Sequence, residues 1–112
     1  MGRSIPVVLL NGKNWSKKGD AKAHFREILN RYTVWDRVTN ADDISDLVAI
    51  LTVYDENLPP AQSKIGVGID YFEKRPDQEH EGNSACFFVV RTDGTSVDFS
   101  IHKALDATAK GG

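Results

Sequence analysis

The residues with the most potential for chemistry lie in the last third of the chain, where Asp70, Asp98 and His102 fall on or near predicted strands. A carboxylate beside a histidine is a pairing that serves general acid–base catalysis. In one extended strand, however, Asp98 and His102 would lie about 13 Å apart, at about 3.3 Å per residue. That separation is too large for a direct hydrogen bond. The spacing therefore favours structural or surface charges, and we predict no catalytic residue.

The sequence does not indicate a metal site either. The histidines, His24, His80 and His102, show no ligand spacing such as His-x-x-x-His, and Cys86 is the only cysteine. A single cysteine cannot form an intramolecular disulfide or a multi-cysteine metal site. We therefore expect no metal and no cofactor, and the cysteine usage indicates a reducing, cytoplasmic compartment. Cys86 lies in an aromatic run, which is typical of a small buried thiol rather than a nucleophile.

Two glycines interrupt the run at residues 65–72, which we predict to be a strand, and Gly66 and Gly68 would share one face of it. Bare backbone there could admit a ligand or partner, or it could reflect a bulge or a tight contact with the protein's own helix. The run lacks the third glycine and the Gly-Lys-Ser/Thr motif of nucleotide-binding loops. The predicted interaction surface comprises Gly66, Gly68, Phe88, Asp98 and His102.

A basic ridge is the main candidate for binding an anionic partner. Lys18, Lys22 and Arg26 recur every four residues on a predicted helix, where they could contact phosphate groups or form a solvated face. The net charge of −2 argues against a dedicated duplex-DNA binder. The first 38 residues nevertheless hold eight Lys or Arg against three Asp or Glu. The predicted nucleic-acid-binding residues are Lys18, Lys22, Arg26, Lys64 and Arg91.

Recognition of nucleic acid by stacking would require aromatic residues interleaved with basic ones on a sheet. Phe72, Phe88 and Arg91 fit this pattern only in part, because Arg91 shares its predicted face with Phe87 and not with Phe88.

A hairpin positions most of these residues. Two β-like runs, at residues 85–91 and 95–101, flank Thr92-Asp93-Gly94, and a three-residue loop with Gly last is a recognised hairpin connection. Pairing Arg91 with Thr95 makes one face apolar and the other mixed, which fixes the register. The predicted pairs are Val89 with Val97 and Phe87 with Phe99 on the apolar face, and Phe88 with Asp98 and Cys86 with Ser100 on the mixed face.

Two helices precede this hairpin. Ser16 is the predicted N-cap of the first, which runs to about residue 32, and Thr39 or Asn40 is the predicted N-cap of the second. Asp42 and Asp43 lie in the first turn of the second helix, where the helix dipole favours anions. Each helix carries a core-facing stripe with helical spacing. The stripes comprise Phe25, Ile28, Leu29 and Tyr32 in the first helix, and Ile44, Leu47, Val48 and Leu51 in the second.

These elements predict an α+β fold, with a three- to four-stranded, mainly antiparallel sheet and two main helices on one face. Short runs at residues 5–10 and 35–38 supply the further strand candidates. A chain of 112 residues suits one domain, 1–112, with a flexible tail at 107–112. The longest apolar run falls far short of the roughly 20 residues that span a bilayer, so we expect no membrane segment.

Several motifs in this order are shared with a known family. They read Lys-Ile-Gly-Val-Gly-Ile at residues 64–69, Cys-Phe-Phe-Val-Val-Arg-Thr-Asp-Gly at 86–94 and Asp-Phe-Ser at 98–100. Together with the two upstream helices, the sequence over about residues 15–105 resembles the DCL (defective chloroplasts and leaves) domain family, and in particular its short stand-alone bacterial members. The chain departs from the family's usual residues at positions 55–57 and 101–102.

The resemblance implies a role with RNA. A plastid member of the family is implicated in ribosomal RNA maturation, and a related domain ends the largest subunit of a plant-specific RNA polymerase. The resemblance implies no catalytic residue set. We therefore expect a non-enzymatic module that contacts structured RNA or a ribonucleoprotein. A protein–protein adaptor without nucleic-acid contact is the alternative, and an RNA-processing enzyme is a third hypothesis.

Overall fold

The computed structural model describes residues 7–9, 11–56, 58–76, 85–99, 101 and 103–105. This part of the chain has the predicted α+β character, with a 3-10 turn at Pro60–Gln62 and further helical residues at 101 and 103–105. The strands and long helices are β1 (Val7–Val8), β2 (Asn14–Trp15), α1 (Lys18–Asn30), α2 (Ala41–Glu56), β3 (Ile69–Pro76), β4 (Ala85–Arg91) and β5 (Ser96–Phe99).

The main sheet is antiparallel with the strand order β3-β4-β5. The backbone N–H of Arg91 donates to the carbonyl oxygen of Thr95 over 2.7 Å, which closes the predicted hairpin. The predicted pairs Val89–Val97, Phe87–Phe99 and Phe88–Asp98 are all confirmed. The predicted partner of Cys86 lies outside the described residues. Alternation of apolar and mixed positions was therefore sufficient to set the register of this hairpin.

One face of the sheet forms the core with the helices. Phe72, Phe87 and Val89 are buried on this inner face, in one apolar cluster with residues of both helices. The helical members include Phe25 and Leu47, each fully buried. Burial of this kind stabilises a fold by about 25 cal/mol per Å² of apolar surface. The opposite face, called here the outer face, carries the alternate residues of each strand.

The start of β3 differs from the prediction. The strand begins at Ile69 rather than residue 65, and it continues to Pro76. Gly66 and Gly68 lie before it in a turn, with φ of +55° and +131°. Glycine adopts such left-handed conformations without the penalty of a Cβ atom. The predicted placement of Gly66 and Gly68 on one strand face is therefore wrong.

The N-terminal hairpin also differs from the prediction of a strand at residues 5–10 in the main sheet. β1 pairs with β2 in a separate two-stranded antiparallel sheet. Gly12, with φ of +92°, lies in the connecting turn. The predicted short strand at residues 35–38 is reduced to an isolated bridge between Arg37 and Glu73 beside β3.

The start of the second helix was predicted correctly, whereas that of the first was not. α1 begins at Lys18, and its N-cap is Lys17 with no side-chain hydrogen bond, so the prediction of Ser16 is wrong. α2 begins at Ala41, and the side-chain oxygen of Asn40 accepts a hydrogen bond from the N–H of Asp43 over 3.1 Å. Asn40 is thus the N-cap, one of the two predicted candidates.

Replacement of Phe87 with Ala should lower the free energy of unfolding by about 3–5 kcal/mol, because a fully buried ring leaves a cavity. Phe88 is the matched control, since it is the adjacent residue of β4 but lies half-buried on the outer face. We expect a clearly smaller loss for Phe88→Ala when both variants are unfolded in urea. Equal losses would contradict the assignment of the inner and outer faces.

Candidate functional site

The predicted basic ridge runs along α1 beside the residues that face the core. Lys18 and Lys22 are half-buried and Arg26 is exposed, while Phe25 and Ile28 face the core. No ion pair engages Lys22 or Arg26 within the described part of the chain. A cavity of about 150 Å³ opens beside them, and its lining residues are Lys22, Phe25, Arg26, Leu29, Phe87 and Ile101. Two of the three ridge cations, Lys22 and Arg26, therefore have no carboxylate partner among the described residues.

Arg91 and Lys64, the other predicted nucleic-acid contacts, hold the loop that precedes β3. The Arg91 guanidinium donates from Nε to the Lys64 carbonyl oxygen over 2.9 Å and from a terminal nitrogen to the Ser63 carbonyl oxygen over 3.1 Å. The Lys64 ammonium donates to the Asp98 carbonyl oxygen over 2.8 Å. Both cations thus make structural hydrogen bonds within the domain, in contrast to Lys22.

Gly66 packs against this arginine. A Cβ atom at Gly66 would lie 3.0 Å from Arg91 Nε, so the bare backbone admits the protein's own side chain. The carboxylate of Asp55 completes the loop, because it accepts the N–H of Lys64 over 2.6 Å and the hydroxyl of Ser63 over 2.5 Å. The predicted close approach at the glycines is therefore real, but Arg91 makes it rather than a helix.

The outer face brings together only part of the predicted interaction surface. Phe88 and Asp98 lie opposite each other on β4 and β5, whereas Gly66 and Gly68 lie in the loop. His102 lies outside the described residues. The remaining outer-face positions on β3 are Tyr71, Glu73 and Arg75.

Arginine side chains lie over the aromatic rings of this outer face. The Arg37 guanidinium carbon lies 3.9 Å from the centre of the Tyr71 ring. The guanidinium carbon of Arg75 lies 4.8 Å from the Phe88 ring centre and 5.6 Å from the Trp35 ring centre. Attraction between a cation and a ring face stabilises such pairs. The outer face therefore carries a set of stacked planar groups.

Few of these arginine and aromatic residues were identified from the sequence. Of the residues considered for stacking, Phe72 is fully buried and Arg91 holds the loop, so only Phe88 belongs to the set. The alternation of Tyr71, Glu73 and Arg75 would have indicated the outer face if β3 had been started at residue 69. Trp35 and Arg37 come from the segment beside the strand, so periodicity gives no signal for them.

Trp35 is held in an uncommon backbone conformation. Its φ is +78°, and 62% of its surface is exposed. Its N–H donates to the carbonyl oxygen of Lys74 over 2.6 Å, and Asp36 accepts the N–H of Thr33 over 3.0 Å. A bulky residue at positive φ is strained, and such strain persists only where the surroundings impose it. An exposed, strained tryptophan is a candidate binding residue.

Lys74 connects this segment with α1. Its ammonium donates to the carbonyl oxygens of Leu29 and Tyr32 over 3.0 and 2.9 Å. These carbonyls lie at the C-terminal end of α1, whose last turn contains no basic residue. A cation there adds hydrogen bonds to carbonyl groups at the helix end and opposes the negative end of the helix dipole.

Two carboxylates of α2 are buried, although the sequence indicated only helix-dipole stabilisation for its acids. Asp46 accepts hydrogen bonds from Asn11 over 2.9 Å and Lys13 over 2.8 Å, and it contacts His24 over 2.8 Å. Burial raises the pKa of Asp46, but these hydrogen bonds outweigh it and lower the pKa below its ordinary value of 3.8. This cluster ties the N-terminal hairpin to both helices.

Asp43 makes the second buried cluster. Its carboxylate accepts from Arg31 over 2.7 Å and from the Tyr32 hydroxyl over 2.8 Å. Burial and this hydrogen bond raise the pKa of Tyr32 above its ordinary value of 10.0. The cluster links the end of α1 to the start of α2, and its role is structural.

The carboxylates considered for catalysis do not lie in a buried site. Asp70 and Asp98 are exposed. Among the residues that the structure describes, no group of three His, Cys, Asp or Glu side chains could hold a metal ion. No helix in the described ranges is long and apolar enough to cross a membrane.

The stability that Asp46 supplies should depend on pH. Its pKa is lowered in the folded state, so its contribution is full above about pH 5 and falls as the pH drops below 3.8 towards the folded value. Asp46→Asn should lower the free energy of unfolding at pH 7, and its difference from wild type should shrink at pH 3. Urea unfolding at both pH values measures this. A difference of the same size at both would contradict the assignment.

Comparisons with a family model and with known proteins identify the same domain family. Residues 26–105 match the model of DUF3223, described as a protein of unknown function. The chain is 36% identical over 77 residues to the chloroplastic protein DCL of Solanum lycopersicum, a match covering 67% of this chain and 31% of that protein. It is 31% identical over 110 residues to DNA-directed RNA polymerase IV subunit 1 of Arabidopsis thaliana, covering 97% of this chain and 7% of the subunit.

A solved structure supports the fold. The chain is 35% identical to an uncharacterized protein from Rhodospirillum rubrum, whose solution NMR structure superposes with a TM-score of 0.73 over 93% of this chain and 91% of that one. The plant relatives are longer, and the chain spans less than a third of the length of each that is named above. The chain belongs to the DUF3223 family and carries a DCL-like domain.

Proposed function

We propose that this domain is a non-enzymatic module that binds structured RNA, or a ribonucleoprotein, through the basic ridge of α1. The observation that carries the proposal is the pair of cations at Lys22 and Arg26, which have no carboxylate partner in the described chain. Most of the domain's other described arginines and lysines are tied to carboxylates or carbonyl groups. Arg31, for example, is paired with the buried Asp43.

The charge pattern of α1 supports a phosphate-binding role. The ridge positions 18, 22 and 26 follow one line along the helix, and the two acids of α1, Asp20 and Glu27, occupy other positions. Three aligned cations attract a polyphosphate backbone over a Debye length of about 10 Å at 0.1 M salt. The ridge therefore provides a sequence-independent attraction for RNA.

The names of the relatives suggest the process in which such a module would act. One of them is a subunit of an RNA polymerase, and others are chloroplastic DCL proteins. In line with the DCL resemblance, we place the domain in ribosomal RNA maturation in the cytoplasm. It would act as a positioning module there, with cleavage performed by a separate enzyme.

A protein–protein adaptor is the second candidate function. The exposed Trp35 favours it, since tryptophan, tyrosine and arginine are enriched among residues that dominate protein interfaces. An adaptor would use the outer face and would not depend on the α1 ridge. The two functions can therefore be separated by mutation.

The triple substitution Lys18→Gln, Lys22→Gln and Arg26→Gln tests the RNA proposal. Three phosphate contacts give a slope of log affinity against log salt of roughly −2 to −3. Glutamine has nearly the same helix propensity as lysine and arginine. The triple variant should therefore weaken binding to a blunt RNA hairpin and flatten the salt slope, while the unfolding free energy stays nearly unchanged.

A single pair of variants provides the matched control. Lys22→Gln and Lys17→Gln remove the same charge, but position 17 precedes the helix and lies off the ridge. Only Lys22→Gln should weaken hairpin binding clearly. Equal binding by wild type and the triple variant at low salt would show that the ridge is a solvated face.

The non-enzymatic part of the proposal has its own test. Purified protein with added Mg²⁺ or Mn²⁺ should leave structured RNA intact during prolonged incubation. The length of the RNA afterwards is measured on a sequencing gel. Metal-dependent cleavage that is lost in Asp70→Asn or Asp98→Asn would overturn this part and identify the exposed carboxylates as an active site.

A further inference from the structure

The outer face offers a second surface that the ridge does not use. Phe87, which lines the cavity beside the ridge, points to the inner side of β4, whereas Phe88 points to the outer side. The ridge and the outer face therefore lie on opposite sides of the sheet. A binding role for the outer face must rest on its own residues.

These residues present planar groups to solvent. Trp35 is exposed, and the Arg75 guanidinium carbon lies within 5.6 Å of its ring centre and 4.8 Å of the Phe88 ring centre. Arg37 is exposed and covers the Tyr71 ring at 3.9 Å. Unpaired nucleobases stack on aromatic side chains and on the planes of arginine guanidinium groups. The open plane of Trp35 and the outer plane of Arg37 thus provide two stacking positions.

The charge of the outer face distinguishes it from the ridge. Its two arginines, Arg37 and Arg75, are matched in number by Glu73 and Asp98, and Arg75 is directly paired with Glu73 over 2.6 Å. Without a net positive charge, the face gains little from phosphate neutralisation. Its affinity must come from stacking, and stacking requires bases that are not already paired in a duplex.

We propose that the outer face binds unpaired RNA bases, with one base on Trp35 and another on the Arg37–Tyr71 pair. The inference rests on the proposed RNA function and names its substrate as RNA with a single-stranded segment. The backbone supports this role, because the hydrogen bond from Trp35 N–H to the Lys74 carbonyl oxygen holds the Trp35 backbone at positive φ. The backbone that carries the ring is therefore already ordered before RNA arrives, which lowers the entropy cost of binding.

The test uses a ten-nucleotide oligouridine and the intrinsic fluorescence of tryptophan. A Trp15→Phe background leaves Trp35 as the only indole, and stacking of uracil should quench its emission. Trp35→Ala should weaken oligouridine binding, measured by anisotropy of a labelled oligonucleotide, by about 5- to 150-fold. Trp35→Tyr keeps a ring and should restore most of the affinity.

Two controls separate stacking from folding and from charge. Val34 is the adjacent exposed apolar residue, so Val34→Ala should leave oligouridine binding unchanged. Arg37→Gln removes the second stacking plane without altering the strained position and should weaken binding independently. The salt slope for oligouridine should be shallower than that for the RNA hairpin, because the outer face has no excess positive charge.

The outcomes distinguish this inference from the proposed function. If the ridge variants weaken hairpin binding while Trp35→Ala and Arg37→Gln leave oligouridine binding unchanged, the inference is overturned and the outer face is left to a protein partner. If neither RNA binds, both proposals fail. If Trp35→Ala weakens oligouridine binding but the ridge variants leave hairpin binding unchanged, the inference is supported and the assignment of the ridge as an RNA site is contradicted.

Discussion

The ammonium group of Lys74 joins the sheet to the end of α1, and much of the domain's geometry depends on this contact. Its two hydrogen bonds to the carbonyl oxygens of Leu29 and Tyr32 fix where the helix ends against β3. The backbone of Lys74 also pairs with the segment that follows α1. Its carbonyl oxygen accepts from the N–H of Trp35, and its N–H donates to the carbonyl oxygen of Asp36. Lys74 therefore positions both the helix that carries the ridge and the tryptophan of the outer face.

The two candidate surfaces differ in physical character because they are built by different elements. A helix can align cations every four residues on its solvent side, which gives the ridge its excess of positive charge. A strand alternates its side chains, and on β3 this places Glu73 between Tyr71 and Arg75 on the outer face. Coulomb attraction thus dominates on one side of the sheet and stacking on the other. An RNA with a duplex and an unpaired segment offers a partner for each.

The sequence predicted the features that follow from local periodicity. The hairpin register followed from alternation and a glycine-ended loop, and the second helix start followed from the capping preference of Asn40. The start of β3 was misplaced, because the β-branched residues that alternate with Gly66 and Gly68 resemble a strand, although both glycines have positive φ. The long side chain of Arg91, which packs on that turn, gave no local signal.

The remaining features arise from tertiary contacts between distant residues. Lys74 and Asp46 were not identified, since a lysine in a strand and an acid in a helix are each ordinary surface residues by composition. Only the folded chain shows that Asp46 is 1% exposed and surrounded by donors from the N-terminal hairpin and α1. The exposed position of Trp35 depends on its pairing beside β3, which no periodic pattern encodes.

If the ridge and the outer face both bind RNA, one RNA can contact the domain on both sides of its sheet. Nitrogen-15 NMR spectra recorded during titration with an RNA hairpin that carries a five-nucleotide single-stranded extension test it most directly. We expect shifts of the backbone amides of Lys22 and Arg26 and of the Trp35 indole N–H, with the amides of Ser63 and Gly66 little changed. Shifts confined to the loop at Arg91, or no shifts at all, would contradict it.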